Sequence, residues 1–250
     1  PVCVPSRFSL QSGRMPSEIG MKWNQSQLPV PDSVQSSALG SLFSAAGYET
    51  VYGGKVHLPS TMQNVENHGY RRLTDDSRQD LADACGECIR EPHERRFFVF
   101  ASFINPHDIC YMAINDALRA KGEEPADNVD SKTCEAVADE ARKLAEESNL
   151  SDDLFPPLPD NHAICESEPE AIRTEYIPHV FRGVRYRRHA RAQWGDKEWR
   201  IFRRVYRKLT EMVDEKIGQV LNAVREAGLE EDTLIVFTSD HGDMDGAHRL

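Results

Sequence analysis

The feature that most constrains the fold is a long amphipathic segment followed directly by a short, wholly apolar one near the end of the chain. From about Trp199 to Ala227, large apolar residues recur every three or four positions, which predicts a helix with one buried face. Gly228 is typical of a helix end. The run Leu234–Thr238 then has the length and composition of a strand buried on both faces. A helix, a short turn and a buried strand together predict one half of a parallel α/β unit.

Two further strands are predicted at Tyr48–Tyr52 and at the apolar run Phe97–Phe103. Polar side chains capable of chemistry follow all three predicted strands. Because open α/β sheets bind ligands at the carboxyl ends of their strands, we expect these side chains to form one site. The candidates are Lys55, His57, His107, Asp240 and His241.

The first fourteen residues combine a possible nucleophile, a cation and a helix start. Pro5 suits the first turn of a helix and Gly13 suits its end. Cys3 is then expected just before a helix N-terminus, where partial positive charge favours an anionic nucleophile. Arg7, one turn further on, is expected to face the same point. A cysteine alone is more often a small buried apolar residue, and only its neighbours in this sequence favour an active site.

The composition is that of a globular protein, with 39% hydrophobic and 28% charged residues in a chain of 250. The formal net charge of -11 argues against nonspecific binding to nucleic acid or to anionic membranes. No apolar run is long enough to cross a bilayer. The chain starts without Met and ends directly after a motif, and we therefore expect it to be a fragment of a longer protein.

Several motifs in this order resemble those of the sulfatases, a family of the alkaline-phosphatase-like superfamily. The pattern Cys3-x-Pro5-Ser6-Arg7, followed by Leu10 and Ser12-Gly13-Arg14, is similar to the sulfatase signature. Later motifs are similar too: Gly47-Tyr48-x-Thr50 with Gly54-Lys55-x-His57, Pro106-His107, and Ser239-Asp240-His241-Gly242. The resemblance implies an α/β/α sandwich with a mainly parallel central sheet. It also implies that residues 1–250 are a partial catalytic domain lacking the family's first strand and its C-terminal subdomain. We expect 113–181 to be a peripheral insert.

The resemblance also implies a mechanism. A formylglycine-generating enzyme would oxidise Cys3 to Cα-formylglycine, and one metal-activated hydroxyl of its hydrate would attack the sulfur of a sulfate ester, releasing the alcohol and leaving a covalent enzyme sulfate. The second hydroxyl would then lose its proton to a base, and the sulfate would be expelled as the aldehyde re-forms. By position, Arg7 would steady the hydrate, Lys55 and His57 would hold the sulfate, and His107 would serve the leaving oxygen.

The implied cofactor is Ca²⁺ or Mg²⁺, bound at Cys3, Asp240 and His241. Asp240 suits a hard cation, whereas His241 is an unusual ligand for calcium. The expected substrate is a sulfated small molecule or glycan, and the expected location is periplasmic or secreted. Two alternatives stay open: a phosphonate or phosphodiester hydrolase of the same superfamily, and a non-catalytic relative that binds sulfated glycans and whose cysteine is never converted.

Overall fold

The computed structural model describes residues 2–24, 27–169, 172 and 182–250, with the side chains of 182–187 outside the description. Residues 170, 171 and 173–181 of the predicted insert lie outside the described residues. The chain divides into two compact units, Pro1–Ile104 with Asp214–Gly242, and Asn105–Val213 with Asp243–Leu250. Among the described residues, no helix is both long and apolar enough to cross a membrane.

The helices range in length from four residues to 31. In chain order they are α1 (Cys3–Ser12), α2 (Asp32–Gln35), α3 (Leu39–Ala45), α4 (Gln79–Arg90), α5 (Cys110–Arg119), α6 (Val129–Ser148), α7 (Arg182–Gln193) and α8 (Asp196–Glu226). The strands are β1 (Glu49–Gly54), β2 (Arg71–Thr74) and β3 (Phe97–Ser102).

The first unit is built on a parallel sheet with the strand order β2-β1-β3. Glu49 pairs with Phe97 at one end of β1, and Gly54 pairs with Ser102 at the other. A parallel α/β fold is thus confirmed. Strand β2 was not predicted, because two of its four residues are arginines and it lacks the apolar pattern of a buried strand.

Alternate side chains of β3 pack on opposite faces of this sheet, as strand geometry requires. Phe97 and Val99 pack with a cluster that includes Ile89 of α4 and the end of α8. Phe98 and Phe100 pack with the cluster that contains the buried side chains of α1. Helices therefore cover both faces, which confirms the predicted α/β/α sandwich.

The second unit is helical in its described part. Its core joins α5 and α6 to the end of α7 and the first part of α8, and Trp194, Trp199 and Phe202 are among its largest buried side chains. The rings of Trp194 and Trp199 meet edge to face at 5.0 Å, and those of Trp199 and Phe202 at 5.6 Å. Aromatic contacts of this kind add to the stabilisation that area burial already supplies.

The prediction of a buried strand at Leu234–Thr238 was wrong. The segment has no strand partner among the described residues, and Leu234 and Phe237 are 89% and 79% exposed. An apolar run is buried only where a neighbouring strand and a covering layer exist, and the described residues provide neither for this segment.

The start of α1 also differs from the prediction. Val2, with extended backbone angles, is the N-cap, and Cys3 is already the first residue of the helix. The helix ends as expected at Gly13, which has a φ of 66°. Cys3 therefore lies within the positively polarised first turn rather than before it.

Candidate functional site

Helix α1 holds Cys3 and Arg7 in place through the residues that follow each of them. Val4 and Phe8 are fully buried in the core of the first unit, so the helix cannot rotate without exposing them. Residues four apart lie on the same side of a helix, and this places Cys3 and Arg7 together. Both residues are nearly excluded from water, at 7% and 8% exposure.

The loop after β1 brings Lys55 to the same site through a close backbone approach. Gly54 has a φ of +86°, and a Cβ on it would lie 2.2 Å from the carbonyl oxygen of Ser102, so only glycine fits. The carbonyl oxygen of Lys55 accepts hydrogen bonds from Arg7 Nη1 at 2.8 Å, Tyr52 Oη at 2.8 Å and Ser102 Oγ at 2.7 Å. The backbone N–H of Lys55 donates to the carbonyl oxygen of Ser102 at 2.9 Å. The backbone of Lys55 is therefore tightly held.

The Cys3 thiol is surrounded by hydrogen-bond donors and cations. His241 Nε2 lies 3.1 Å from Sγ and Lys55 Nζ lies 3.7 Å from it, and His57 also favours the ionised form of the thiol. Burial alone would raise the pKa of Cys3, but the bonds from His241 and His57 and the charge of Lys55 outweigh it and lower the pKa to about 5. At neutral pH this group is a thiolate.

His241 is the complementary half of this pair. Its hydrogen bond to Cys3 raises the pKa of the imidazole to about 9, although burial opposes the change. The lowered pKa of Cys3 and the raised pKa of His241 have one origin, because the imidazole keeps its proton beside the thiolate. The site therefore carries a preformed ion pair next to Lys55.

Asp240 is held by Arg7. Arg7 Nε donates to Asp240 Oδ2 at 2.7 Å, and the N–H of His241 donates to Asp240 Oδ1 at 3.0 Å. Burial would raise the pKa of Asp240, but the guanidinium charge and its hydrogen bond keep it below the usual value. Arg7 Nη1 also donates to Ser102 Oγ at 2.7 Å. One guanidinium thus ties α1 to the ends of β1 and β3 and to the last segment of the first unit.

Six of the seven residues selected from the sequence lie in the first unit and come together there: Cys3, Arg7, Lys55, His57, Asp240 and His241. His57 has a φ of 45°, a conformation that costs free energy outside glycine and is often found at functional sites. His107 belongs to the second unit, where it begins a short 3-10 turn, His107–Ile109. The role assigned to His107 stays a prediction.

Three contributors to this site were missed in the sequence. Ser102 bridges Arg7 and the Lys55 carbonyl, Tyr52 donates to the same carbonyl, and Ser6 Oγ donates to the carbonyl of Asp240. Ser102 carried a usable signal, since it is a polar residue at the carboxyl end of an apolar strand. Ser6 lies inside the signature around Cys3, but nothing in the sequence indicates its bond to Asp240, which is 234 residues away. Tyr52 had no signal, because it bonds to a backbone carbonyl around a turn.

The candidate metal ligands fit calcium or magnesium poorly as they stand. Ligand atoms of Cys3, Asp240 and His241 lie within 4.8 Å of one another, so one ion could touch all three. They offer one sulfur, one imidazole nitrogen and one carboxylate. Ca²⁺ takes six to eight oxygen ligands and Mg²⁺ strongly prefers oxygen, so a single carboxylate is insufficient for either.

Beside His57 the surface forms an open hollow of about 390 Å³, lined by His57, Leu58, Ser60 and Gln63. Gln63 Oε1 accepts a hydrogen bond from the N–H of Leu58 at 3.1 Å. With its oxygen engaged in this way, the side chain has its NH₂ group left to donate to a bound molecule. The hollow therefore offers polar contacts next to the thiol site.

Comparison with known proteins places this geometry in context. A family model described as Sulfatase matches residues 1–250. A Delta 4,5-hexuronate-2-O-sulfatase of Bacteroides thetaiotaomicron is 28% identical over 266 residues, covering 100% of this chain and 48% of the relative. An ulvan-active sulfatase of Formosa agariphila is 27% identical over 254 residues, covering 99% of this chain and 42% of the relative.

Among solved structures, a 2-O GAG sulfatase matches with a TM-score of 0.65 at 24% identity, over 98% of this chain and 49% of that one. At this identity the match shows a shared fold. The chain spans about half or less of the length of the curated relatives it matches.

Proposed function

Because the chain belongs to the sulfatase family of the alkaline-phosphatase-like superfamily, we propose that it forms part of an enzyme that hydrolyses a sulfate ester. The observation that carries this proposal is the setting of the residue at position 3. Its side chain lies in the first turn of α1, 3.7 Å from a lysine ammonium and 3.1 Å from a protonated histidine. An anion formed or bound at this point is stabilised from three directions.

We propose that a formylglycine-generating enzyme converts Cys3 to formylglycine, whose hydrate is the nucleophile. Lys55 and His57 then hold the sulfate oxygens with charge-assisted hydrogen bonds. The backbone of Lys55 is fixed by bonds to Arg7, Tyr52 and Ser102, so its position is set before the substrate arrives. Preorganised donors of this kind make a large contribution to catalysis, because no reorganisation is needed in the transition state.

The contacts of Arg7 support a positioning role rather than the direct role expected from the sequence. Its guanidinium is engaged with Asp240, the Lys55 carbonyl and Ser102. It therefore acts on the reacting group through the residues it orients. His107 stays the proposed donor of a proton to the leaving oxygen, a task that suits an imidazole near neutral pH.

A divalent cation is proposed at Cys3, Asp240 and His241, where it would polarise the bound sulfate. Ca²⁺ or Mg²⁺ at this position requires oxygen ligands beyond those three side chains. Asp240 is ready for such a role, because its lowered pKa keeps it ionised at neutral pH.

The proposed substrate is a sulfated glycan. Two relatives carry names that specify a hexuronate 2-O-sulfate and ulvan. The hollow beside His57 could accept part of a sugar, with Gln63 donating to a hydroxyl. We further propose that residues 113–181 are a peripheral insert, that 1–250 are part of one catalytic domain, and that the protein is periplasmic or secreted.

The test is turnover by the full-length protein, produced with a formylglycine-generating enzyme and assayed on an aryl sulfate, an aryl phosphodiester and a sulfated glycan. We expect the sulfate ester to be the preferred small substrate and Cys3→Ala to abolish turnover. A strong preference for the diester would instead favour the phosphonate or phosphodiester hydrolase. Glycan binding that survives Cys3→Ala, without turnover in either form, would favour the non-catalytic relative.

A further inference from the structure

Trp23 is the only one of the three tryptophans that faces water. Trp194 and Trp199 are 5% and 2% exposed, whereas Trp23 is 39% exposed. Exposure of an indole forgoes the burial of a large apolar surface, which ordinarily stabilises a folded chain. The flat apolar face of an indole and its polar N–H suit contact with a ligand that has both apolar and polar parts. The surroundings of Trp23 indicate which ligand this is.

Trp23 lies close to the start of α1, where the proposed nucleophile is. The side chain of the next residue, Asn24, accepts a hydrogen bond from the N–H of Val4 through Oδ1 at 2.7 Å. That N–H belongs to the first turn and has no partner within the helix, so the bond ties this segment to α1. Val4 directly follows Cys3, and the Cα of Trp23 lies within roughly 10 Å of the bonded N–H. The indole is therefore within reach of a sugar ring whose sulfate is bound at Cys3.

The segment that carries Trp23 is also tied to the open hollow next to the thiol site. The carbonyl oxygen of Gln27 accepts a hydrogen bond from Ser60 Oγ at 3.4 Å, and Ser60 lines the hollow. Met21 and Val30, on either side of Trp23 in the sequence, are buried in the core of the first unit. These anchors hold the segment close both to the start of α1 and to the hollow, where the proposed function requires the sugar to bind.

We propose that Trp23 is a specificity-determining residue, whose indole stacks on the sugar ring that carries the sulfate. This inference rests on the proposed sulfatase function and adds how the alcohol part of the ester is recognised. Lys55 and His57 serve the sulfate, which is the same group in every substrate, so they do not distinguish one alcohol from another. The C–H groups on one face of a sugar ring meet the negative face of the indole. Because stacking acts in the ground state and the transition state alike, it lowers KM more than it raises kcat.

The test uses steady-state kinetics of the full-length converted protein on a panel of sulfated disaccharides. Trp23→Ala should raise KM for a cleaved disaccharide by about tenfold and change kcat by less than about twofold, as loss of a stacking contact does. Trp23→Phe retains a flat ring and should raise KM by only about two- to threefold. Inhibition by inorganic sulfate, which has no ring to stack, should be the same in all these proteins. Met15→Ala, which removes a 66% exposed apolar side chain beyond the other end of α1, is the matched control and should not change KM.

An unchanged KM in Trp23→Ala would overturn the proposal, as would a protein that cleaves an aryl sulfate but none of the disaccharides. An equal weakening of inhibition by inorganic sulfate would also overturn it, because the substitution would then have disturbed the sulfate site. In each of these cases the enzyme still cleaves a sulfate ester, so the proposed function stands.

Tryptophan fluorescence gives a second measurement that needs no turnover. Iodide should quench an emission that Trp23→Phe lacks, and a sulfated disaccharide should protect that emission from iodide in Cys3→Ala. An indole that iodide cannot reach in the full-length protein, or one that no disaccharide protects, would refute the stacking. Protection in a protein that cleaves no sulfate ester would support the stacking and refute the proposed function alone.

Discussion

Replacement of His241 by glutamine should change how Cys3 ionises in protein that retains the thiol. His241 donates the closest hydrogen bond to Sγ, at 3.1 Å, and carries the positive charge that pairs with the thiolate. In the intact site the pKa of Cys3 is about 5, against an ordinary value of 9.0 for a cysteine thiol. Lys55 and His57 remain in the variant, so the midpoint should rise through part of this gap, to above about 6.

The rate of alkylation at a single pH is a poor measure of this change. At pH 7 a cysteine of pKa 5 is about 99% thiolate and one of pKa 9 about 1%. Thiolate nucleophilicity falls with pKa by a Brønsted factor of about 0.4–0.5, which over four units costs roughly 40- to 100-fold. The two effects nearly cancel, and only the position of the pH midpoint separates the two cases.

The assay is therefore the rate of iodoacetamide alkylation of the Cys3 peptide, followed by mass spectrometry between about pH 4 and 10. Reading one peptide excludes the other cysteines, of which Cys85 has a pKa raised to about 12 by burial. We expect the intact protein to react with a midpoint near 5, with a second inflection near 9 as His241 loses its proton. A midpoint of about 8 or more in the intact protein, or an unchanged midpoint in His241→Gln, would refute the ion pair.

Three further predictions concern other parts of the molecule. Arg7→Met should lower the free energy of unfolding by up to about 3 kcal/mol in urea denaturation, because it leaves the partly buried carboxylate of Asp240, which is 18% exposed, without its guanidinium partner. The exposed pair of Arg14 and Glu18 supplies the control, and Arg14→Ala should cost less than about 1 kcal/mol. Equal losses would contradict the buried ion pair. Gln63→Ala should raise KM of the full-length enzyme for a sulfated glycan while leaving kcat/KM for an aryl sulfate unchanged, and a loss on both substrates would exclude a role in sugar binding. Val236→Lys should reduce concentration-dependent association of the 250-residue chain in light scattering, since it interrupts the exposed apolar run Leu234–Phe237. Unchanged association would show that this run does not drive contact between chains.

The sequence by itself determined the class of fold and the family. The alternating segment 48–52 and the apolar run 97–103 predicted strands, and both positions are strands of the sheet, at Glu49–Gly54 and Phe97–Ser102. The four-residue spacing of Cys3 and Arg7 specified that they share a helix side, because that follows from helix geometry alone. The order of motifs from Cys3 to Gly242 identified the family.

The tertiary structure decided what each of these residues touches. The bond from Arg7 to Asp240 joins residues 233 apart, and that from Cys3 to His241 joins residues 238 apart. Local periodicity carries no information about contacts between residues so far apart in the sequence. The ion pair at Cys3 and the proposed positioning role of Arg7 therefore could not be predicted from motif spacing. The exposure of Leu234–Phe237 was hidden for the same reason. Composition states that a segment can be buried, and only the arrangement of its neighbours decides whether it is.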